Sequence, residues 1–131
     1  MSRHNVLIVD DDEDDRQMIR DAFKMSSEKV KVNEIVDGGE VINYLETHSK
    51  PSFILLDINM PGKSGFQVIS LLKAHKKYAS IPIYVFTTSR SVSDKMTALR
   101  LGANKCIVKP SSYELWVSTI CALLTTAPNH V

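Results

Sequence analysis

The sequence is poor in every feature that would commit it to a membrane, a secretory route or a nucleic acid. No apolar run approaches the roughly 18 residues of a membrane span, and the opening residues MSRHN carry no apolar stretch of signal-peptide type. Only two cysteines occur, Cys106 and Cys121, without a CxxC pair or a His–Cys cluster. That pattern reads as reduced thiols of a cytosolic protein, with nothing that supports a disulfide. The charges nearly cancel, 16 Lys and Arg against 15 Asp and Glu for a formal net charge of +1, so no global basic field draws nucleic acid or anionic lipid. His4, His48, His75 and His130 are scattered and do not form a metal-ligand pattern. Phosphate-cradling glycine loops of the GxxxxGK[ST] or GxGxxG type are missing, as are heptads and internal repeats. A chain of 131 residues fits one domain that buries roughly two-thirds of its unfolded surface.

What is present centres on Phe53 to Gly65, FILLDINMPGKSG. Four apolar residues run without alternation into one carboxylate, Asp57. A short apolar run bounded by turn signals suits a strand buried on both faces, as in a parallel sheet. Pro61-Gly62 stops that strand, and Gly65 opens a helical pattern. Asp57 is then either a carboxylate at the carboxyl end of a central strand, where open α/β sheets keep their ligand crevices, or a loop aspartate capping the next helix. This stretch alone does not separate the two.

The rest of the chain repeats the pattern. Residues 5–9 (NVLIV) form an apolar strand that runs into six successive acids, Asp10 to Asp15. Six like charges usually mark a solvated tail, but here a strand precedes and a helix pattern (Met18, Ile19, Ala22, Phe23) follows. Asp11 or Asp12 can cap that helix, and acids suit its first turn. Capping does not require all six, and the surplus at Asp10 and Asp11 needs another account. Residues 30–36 read as a strand with one partly exposed face, Asp37-Gly38-Gly39 as a turn, and Val41, Ile42 and Leu45 as the stripe of a second helix. A third helix runs from Gly65 to about His75. A strand at 81–86 (IPIYVF) ends in Thr87-Thr88-Ser89. Ser91 or Ser93 caps a fourth helix, α4, that stops at Gly102. A short strand β5 at 105–108 closes on Lys109-Pro110. Ser111 or Ser112 caps the last helix, α5, at 113–124, and TTAPNHV is expected to fray. The rhythm is βα repeated five times, which predicts an α/β, doubly wound, five-stranded parallel sheet.

Parallel strands put their carboxyl ends on one edge, so Asp10-Asp11, Asp57, Thr87 and Lys109 are predicted to converge in one crevice. Asp10, Asp11 and Asp57 together carry three negative charges, and two carboxylates about 4 Å apart repel by roughly 4 kcal/mol at an intermediate dielectric. Such a cluster raises a pKa or holds a cation. Mg2+ and the Lys109 ammonium together neutralise it, and Mg2+ takes oxygen ligands, one or two carboxylates and a phosphate among them. A carboxylate also serves as a nucleophile, giving an acyl phosphate, whose added charge Lys109 and the Thr87 hydroxyl are suited to receive. Taken singly, each residue has a plain structural role: Lys109 a solvated strand-end lysine, Thr87 and Thr88 β-formers or turn residues, the acid pair a cap. Four such coincidences at four strand ends favour the joint reading. A calcium EF-hand starting at Asp10 fails at Asp15 and Asp21, where glycine and glutamate belong. A haloacid-dehalogenase-type phosphatase wants a second aspartate where Asn59 stands.

As a set, VDD, LLDINMPGKSG, VFTTS and VKP resemble the two-component response-regulator receiver domains, similar to chemotaxis-type (CheY-like) and other stand-alone receivers, over residues 5–124. The resemblance implies a flavodoxin-like fold of strand order 2-1-3-4-5. It implies that Asp57 is the phosphoacceptor, and that Asp10 and Asp11, with Asp57 and the Asn59 backbone carbonyl, hold Mg2+. Thr87, with Thr88 beside it, and Lys109 are the implied phosphoryl-binding and switch residues. Asn59 and Ser89 side chains occupy positions that tune phosphoryl lifetime and access, and the Lys109–Pro110 peptide is one that the family commonly holds cis. The implied donor is a sensor histidine kinase, or a small acyl phosphate, in the cytoplasm. The chain would then be a signalling relay, not an enzyme acting on a metabolite. Cys106 stands where many receivers carry the switch aromatic, and Ser111 where an aromatic often follows Lys-Pro. The switch is therefore expected to run through the start of α4 and β5 without an aromatic rotamer swap. Seven residues beyond Leu124 leave no room for an output domain, so signalling is expected through a partner or homodimer on the α4-β5-α5 face. The apolar residues of α5 span about 160° at 100° per residue, wider than the stripe of about 100° of a simple core-facing helix; a helix wedged deeply in the core explains this first, and a dimer or partner face is the sharper alternative. Two other classes compete: a phosphorylation-independent interaction module on the same fold, and a Mg2+-dependent phosphohydrolase of small phosphoesters.

Overall fold

The computed structural model describes residues 4–26, 28–60, 62 and 64–126. In chain order it comprises β1 (His4–Val9), α1 (Glu13–Lys24), β2 (Val30–Ile35), a 3₁₀ turn (Gly38–Glu40) leading into α2 (Val41–Thr47), β3 (Phe53–Leu56), α3 (Gly65–Ala74), β4 (Ile83–Thr87), α4 (Val92–Leu101), β5 (Lys105–Val108) and α5 (Tyr113–Thr126). The five strands pair in parallel in the order β2-β1-β3-β4-β5. This is the doubly wound, flavodoxin-like α/β architecture.

Strand alternation sorts the core into two layers. Leu7, Val9, Ile54, Leu56, Ile83 and Val85 face Val41, Leu45, Val68, Ile69, Leu72 and Ala98 of α2, α3 and α4. Val6, Ile8, Phe53, Leu55, Tyr84 and Phe86 face Ile19, Ala22 and Phe23 of α1 and Trp116, Ile120, Leu123 and Leu124 of α5. With helices on both sides, no residue of β3 is more than 1% exposed. That explains an apolar run with no alternation, each side chain contributing roughly 2 kcal/mol by burial.

Local signals set the helix ends. Asp12 caps α1 through the Asp15 N–H, Ser64 and Gln67 form a capping box on α3, and Ser91 caps α4 through the Asp94 N–H. The Ser112 hydroxyl accepts from the Leu115 N–H at the start of α5. Gly102 ends α4 at φ 123°, a conformation that favours glycine. Several boundaries differ from the sequence expectation. The fourth strand starts at Ile83, not residue 81, because Pro82 lacks an N–H, although its carbonyl still accepts from Ile54. Its end takes in Thr87, and β2 stops at Ile35, one residue short. α5 runs on through Thr125 and Thr126, which were expected to fray; the remainder of that tail, with Ser27 and Pro61, lies outside the described residues. The broad apolar arc of α5 is largely accounted for by wedging. Trp116, Ile120, Leu123 and Leu124 are buried and Val117 packs against the same layer, while Tyr113 is exposed.

Candidate functional site

Strand register assembles the site. Val9 is the β-partner of Leu56, so Asp10 and Asp57 leave adjacent strands side by side, with the Asp57 N–H donating to the Val9 carbonyl at 3.0 Å. Thr87 pairs with Val108, and the Lys109 N–H donates to the Thr87 carbonyl at 2.7 Å. Four segments far apart in sequence thus end on one rim. Gly65 lets α3 close on this rim, since a Cβ there would stand 2.5 Å from the Ile58 Cα and 2.6 Å from the Asp57 carbonyl oxygen.

Asp10, Asp57, Thr87 and Lys109 are all buried, each no more than 7% exposed. The Lys109 ammonium reaches Asp10 Oδ2 at 2.8 Å, Asp57 Oδ2 at 3.2 Å and Asp15 Oδ2 at 2.6 Å. Asp57 Oδ1 accepts from the Asn59 N–H at 3.0 Å, and Asp10 Oδ1 from the Asp12 N–H at 2.9 Å. On the other side, the Asn59 side-chain amide donates to Thr87 Oγ1 at 3.3 Å, and the Ser89 N–H donates to that same hydroxyl oxygen at 3.1 Å. The Ser89 hydroxyl donates to Asp94 Oδ2 at 2.6 Å, so hydrogen bonds run from Asn59 through Thr87 and the 88–91 loop into α4. Thr88 is exposed and lines, with Asp11, Asp57, Asn59 and Lys109, a polar cleft of about 480 Å³. A groove of about 420 Å³ between α3 and α4 is nearly all apolar and carries no chemistry of this kind.

Burial shapes the electrostatics. Desolvation raises the Asp10 pKa, offset in part by Lys109 and the Asp12 N–H. For Lys109, burial alone would lower the pKa. The hydrogen bonds it donates to Asp10 and Asp15, together with the Asp57 charge, outweigh it and hold the ammonium above the ordinary lysine value. One oxygen each of Asp10, Asp11 and Asp57 lie within 4.8 Å of one another. Three hard oxygen donors, two of them buried and one exposed at the polar cleft, fit a small divalent cation that keeps several waters.

The other expectations fall into place around this centre. Asn59 is exposed at the cleft, and Cys106 is half-buried beside Val85, on the sheet face that β4 presents to α3 and α4. Both cysteines are free. Among the described residues no peptide bond is cis, so the Lys109–Pro110 bond differs from the family habit. The Pro110 carbonyl accepts from the Trp116 indole N–H at 2.8 Å, and trans is the intrinsically favoured isomer. His4 lies by Glu28, His48 on Tyr44 and His75 on Tyr78, all away from the cluster; His130 is outside the described residues.

Two contributors were not singled out from the sequence. Asp15 looked like one more first-turn acid of α1, yet it makes the shortest contact to Lys109. Arg16, which is buried, donates to the Asp10 carbonyl at 2.8 Å and to Glu34 at 2.9 Å, and pairs with Glu13, tying the acid loop to α1 and β2. An arginine placed directly after six acids was the available signal.

A family model described as the response regulator receiver domain matches residues 6–120. Transcriptional regulatory protein PrrA of Mycobacterium leprae is 33% identical over 124 residues, covering 95% of this chain and 51% of its own. Protein PilH of Pseudomonas aeruginosa is 32% identical over 119 residues, covering 91% of this chain and 96% of its own. The chain thus spans about half the length of PrrA and nearly all of PilH. Among solved structures, the phosphorylated cyanobacterial phytochrome response regulator RcpA superimposes with a TM-score of 0.90 at 26% identity, covering 99% of this chain and 100% of its own. No helix among the described residues is long and apolar enough to cross a membrane. The matched model, the curated relatives and the shared architecture agree: the chain belongs to the response regulator receiver domains, the CheY-like signalling modules of two-component systems.

Proposed function

We propose that the chain accepts a phosphoryl group on Asp57 and relays its presence through a change at its surface. The observation that carries this reading is the Lys109 ammonium held between Asp10 and Asp57, with Asp11 completing a three-oxygen cluster. Asp10, Asp11, Asp57 and the Asn59 carbonyl are the groups that would hold Mg2+. Bound there, the ion would supply positive charge that offsets the charge of the phosphoryl group. A carboxylate oxygen of Asp57 attacks phosphorus, the bond to the leaving group breaks, and an acyl phosphate forms. With a histidine kinase as donor the leaving group is an imidazole nitrogen, and with a small acyl phosphate it is a carboxylate. Water later attacks phosphorus and restores the Asp57 carboxylate with release of inorganic phosphate. The chain acts here as phosphoacceptor and phosphoryl hydrolase toward itself alone.

Lys109 and the Thr87 hydroxyl receive the added negative charge. For Thr87 to donate to a phosphoryl oxygen, its hydroxyl must turn toward Asp57. It then leaves the Asn59 amide and the Ser89 N–H, so the 88–91 loop and the start of α4 are where the change is read. Cys106, too small to swing as an aromatic does, makes this loop the main route. Val92 and Met96 of α4, Val108 of β5 and Tyr113 of α5 are exposed, and they make the α4-β5-α5 face the surface that a downstream protein or a second copy would meet. Kinase and relay place the reading in the cytoplasm, with no nucleic acid or membrane required. Incubation with a phosphorylated histidine-kinase domain or acetyl phosphate, then borohydride trapping and peptide mapping, should place homoserine at position 57. Trapping elsewhere, or steady phosphate release from a generic phosphoester without trapping, would refute the assignment.

A further inference from the structure

We infer that Asp15 is a positioning residue that holds the Lys109 ammonium away from the phosphoryl group and thereby limits how strongly the phosphorylated state is favoured. The inference rests on the phosphoacceptor reading and deepens it. An ammonium has three N–H donors, and in this structure Lys109 makes three carboxylate contacts, to Asp15, Asp10 and Asp57. The ammonium is therefore saturated before any phosphoryl oxygen arrives, and a new bond to that oxygen requires an old one to be given up.

The three partners are not equivalent. Asp10 and Asp57 belong to the cluster of oxygens suited to a cation, whereas Asp15 does not. A cation on the cluster draws the Asp10 and Asp57 lone pairs and repels the ammonium. Asp15 is then the partner that keeps Lys109 in place, and it makes the shortest of the three contacts. It also brings a fourth negative charge to a site where one ammonium and one divalent cation already balance the other three. Asp15 is part of α1, which packs on the same face of the sheet as α5 and Phe86, and its carboxyl is 24% exposed. Its charge is thus screened only in part. Because Asp15 Oδ2 and Asp57 Oδ2 touch the same nitrogen, they are no farther apart than those two contacts laid end to end. Any charge added on Asp57 is repelled by Asp15 across that short gap. Asp15 therefore favours cation binding and disfavours the phosphoryl group, two effects of opposite sign from one carboxylate.

The test uses Asp15→Asn, which keeps shape and removes charge, with Asp15→Ser as a second neutral variant and Asp15→Glu as the charge-restoring one. Mg2+ is titrated alone, and beryllofluoride is titrated at saturating Mg2+, with Trp116 fluorescence as readout. Both neutral variants should bind beryllofluoride about 3-fold more tightly, as expected for one unit charge at ~6 Å through a largely aqueous dielectric. They should also bind Mg2+ about 2- to 5-fold more weakly. Asp15→Glu should return both constants toward wild type. Weakening of both constants together marks a merely structural role and overturns the inference, as does no change in beryllofluoride affinity. A wild type that takes up no beryllofluoride overturns the phosphoacceptor reading and the inference with it. A wild type that binds, with neutral variants that bind no tighter, overturns the inference alone.

Discussion

Asp10→Asn should make the metal-free protein more stable while abolishing its response to Mg2+. Asp10 is 2% exposed and its pKa is raised, burial being the largest cause, so its ionised form is disfavoured by folding. Asparagine keeps an acceptor for the Asp12 N–H and removes the charge. It forfeits one charge-assisted bond to Lys109, worth about 1.5–3 kcal/mol. It also removes the desolvation of a buried ion, an effective several kcal/mol. Lys109 retains Asp15 and Asp57, so no ammonium is left unpaired. The expected balance is about 1–2 kcal/mol in favour of the variant, or roughly 4–7 °C in Tm for a chain of this size. The sign with pH follows from linkage. A carboxyl whose folded-state pKa is raised contributes stability below its unfolded value, and that contribution is lost as pH rises through the folded value. The variant's advantage should therefore be full at pH 7 and shrink as pH falls toward 4. Thermal scans with and without 10-fold excess Mg2+ over its Kd should raise Tm by roughly 4–6 °C in wild type and hardly at all in the variant. A metal-free Asp10→Asn protein less stable than wild type at pH 7 would refute this reasoning, since the Lys109 bond would then outweigh the burial of the charge.

Gly65→Ala should cost about 1–3 kcal/mol in urea unfolding, because the new Cβ meets Ile58 and Asp57 backbone atoms. It should also slow phosphorylation from acetyl phosphate by displacing the Asp57 loop; a fully stable, fully reactive variant would contradict the packing at that rim. Burial pushes the Cys106 and Cys121 thiols above their ordinary value of 9.0. At pH 8 both should alkylate more slowly than a free thiol, and equally fast in urea. The stability they contribute is present below the ordinary value and lost only as pH rises through the raised one, so stability between pH 6 and 8 should not depend on them. Trp116→Phe keeps the edge contact to Phe86 but loses the bond to the Pro110 carbonyl, and should cost about 1 kcal/mol by denaturant unfolding.

The central strands β1, β3 and β4 were legible because burial on both faces leaves a short apolar run in the sequence. The partly exposed β2 and β5 were read from alternation and from the βα rhythm, and the strands end in residues of another kind. That ending also exposed the site: once the strands are parallel, Asp10, Asp57, Thr87 and Lys109 share an edge without further information. Asp15 was not legible in this way. Six adjacent acids are chemically alike, and which one turns toward Lys109 depends on where α1 starts and how it lies on the sheet. Asp12 takes the cap, which rotates Asp15 inward. The start of β4 was misplaced for a similar reason. Ile81 is apolar and buried, but its N–H closes a turn on the Tyr78 carbonyl instead of a strand ladder. The cis isomer implied for Lys109–Pro110 was a family habit, and nothing in the sequence itself argued for it.

Incubation with acetyl phosphate and Mg2+, followed by intact-mass measurement, tests the central claim most directly. Wild type should gain a single phosphoryl group, and that gain should vanish on chelation of Mg2+ and in Asp57→Asn. An equal gain in Asp57→Asn, or none in the folded, Mg2+-loaded wild type, would contradict the account.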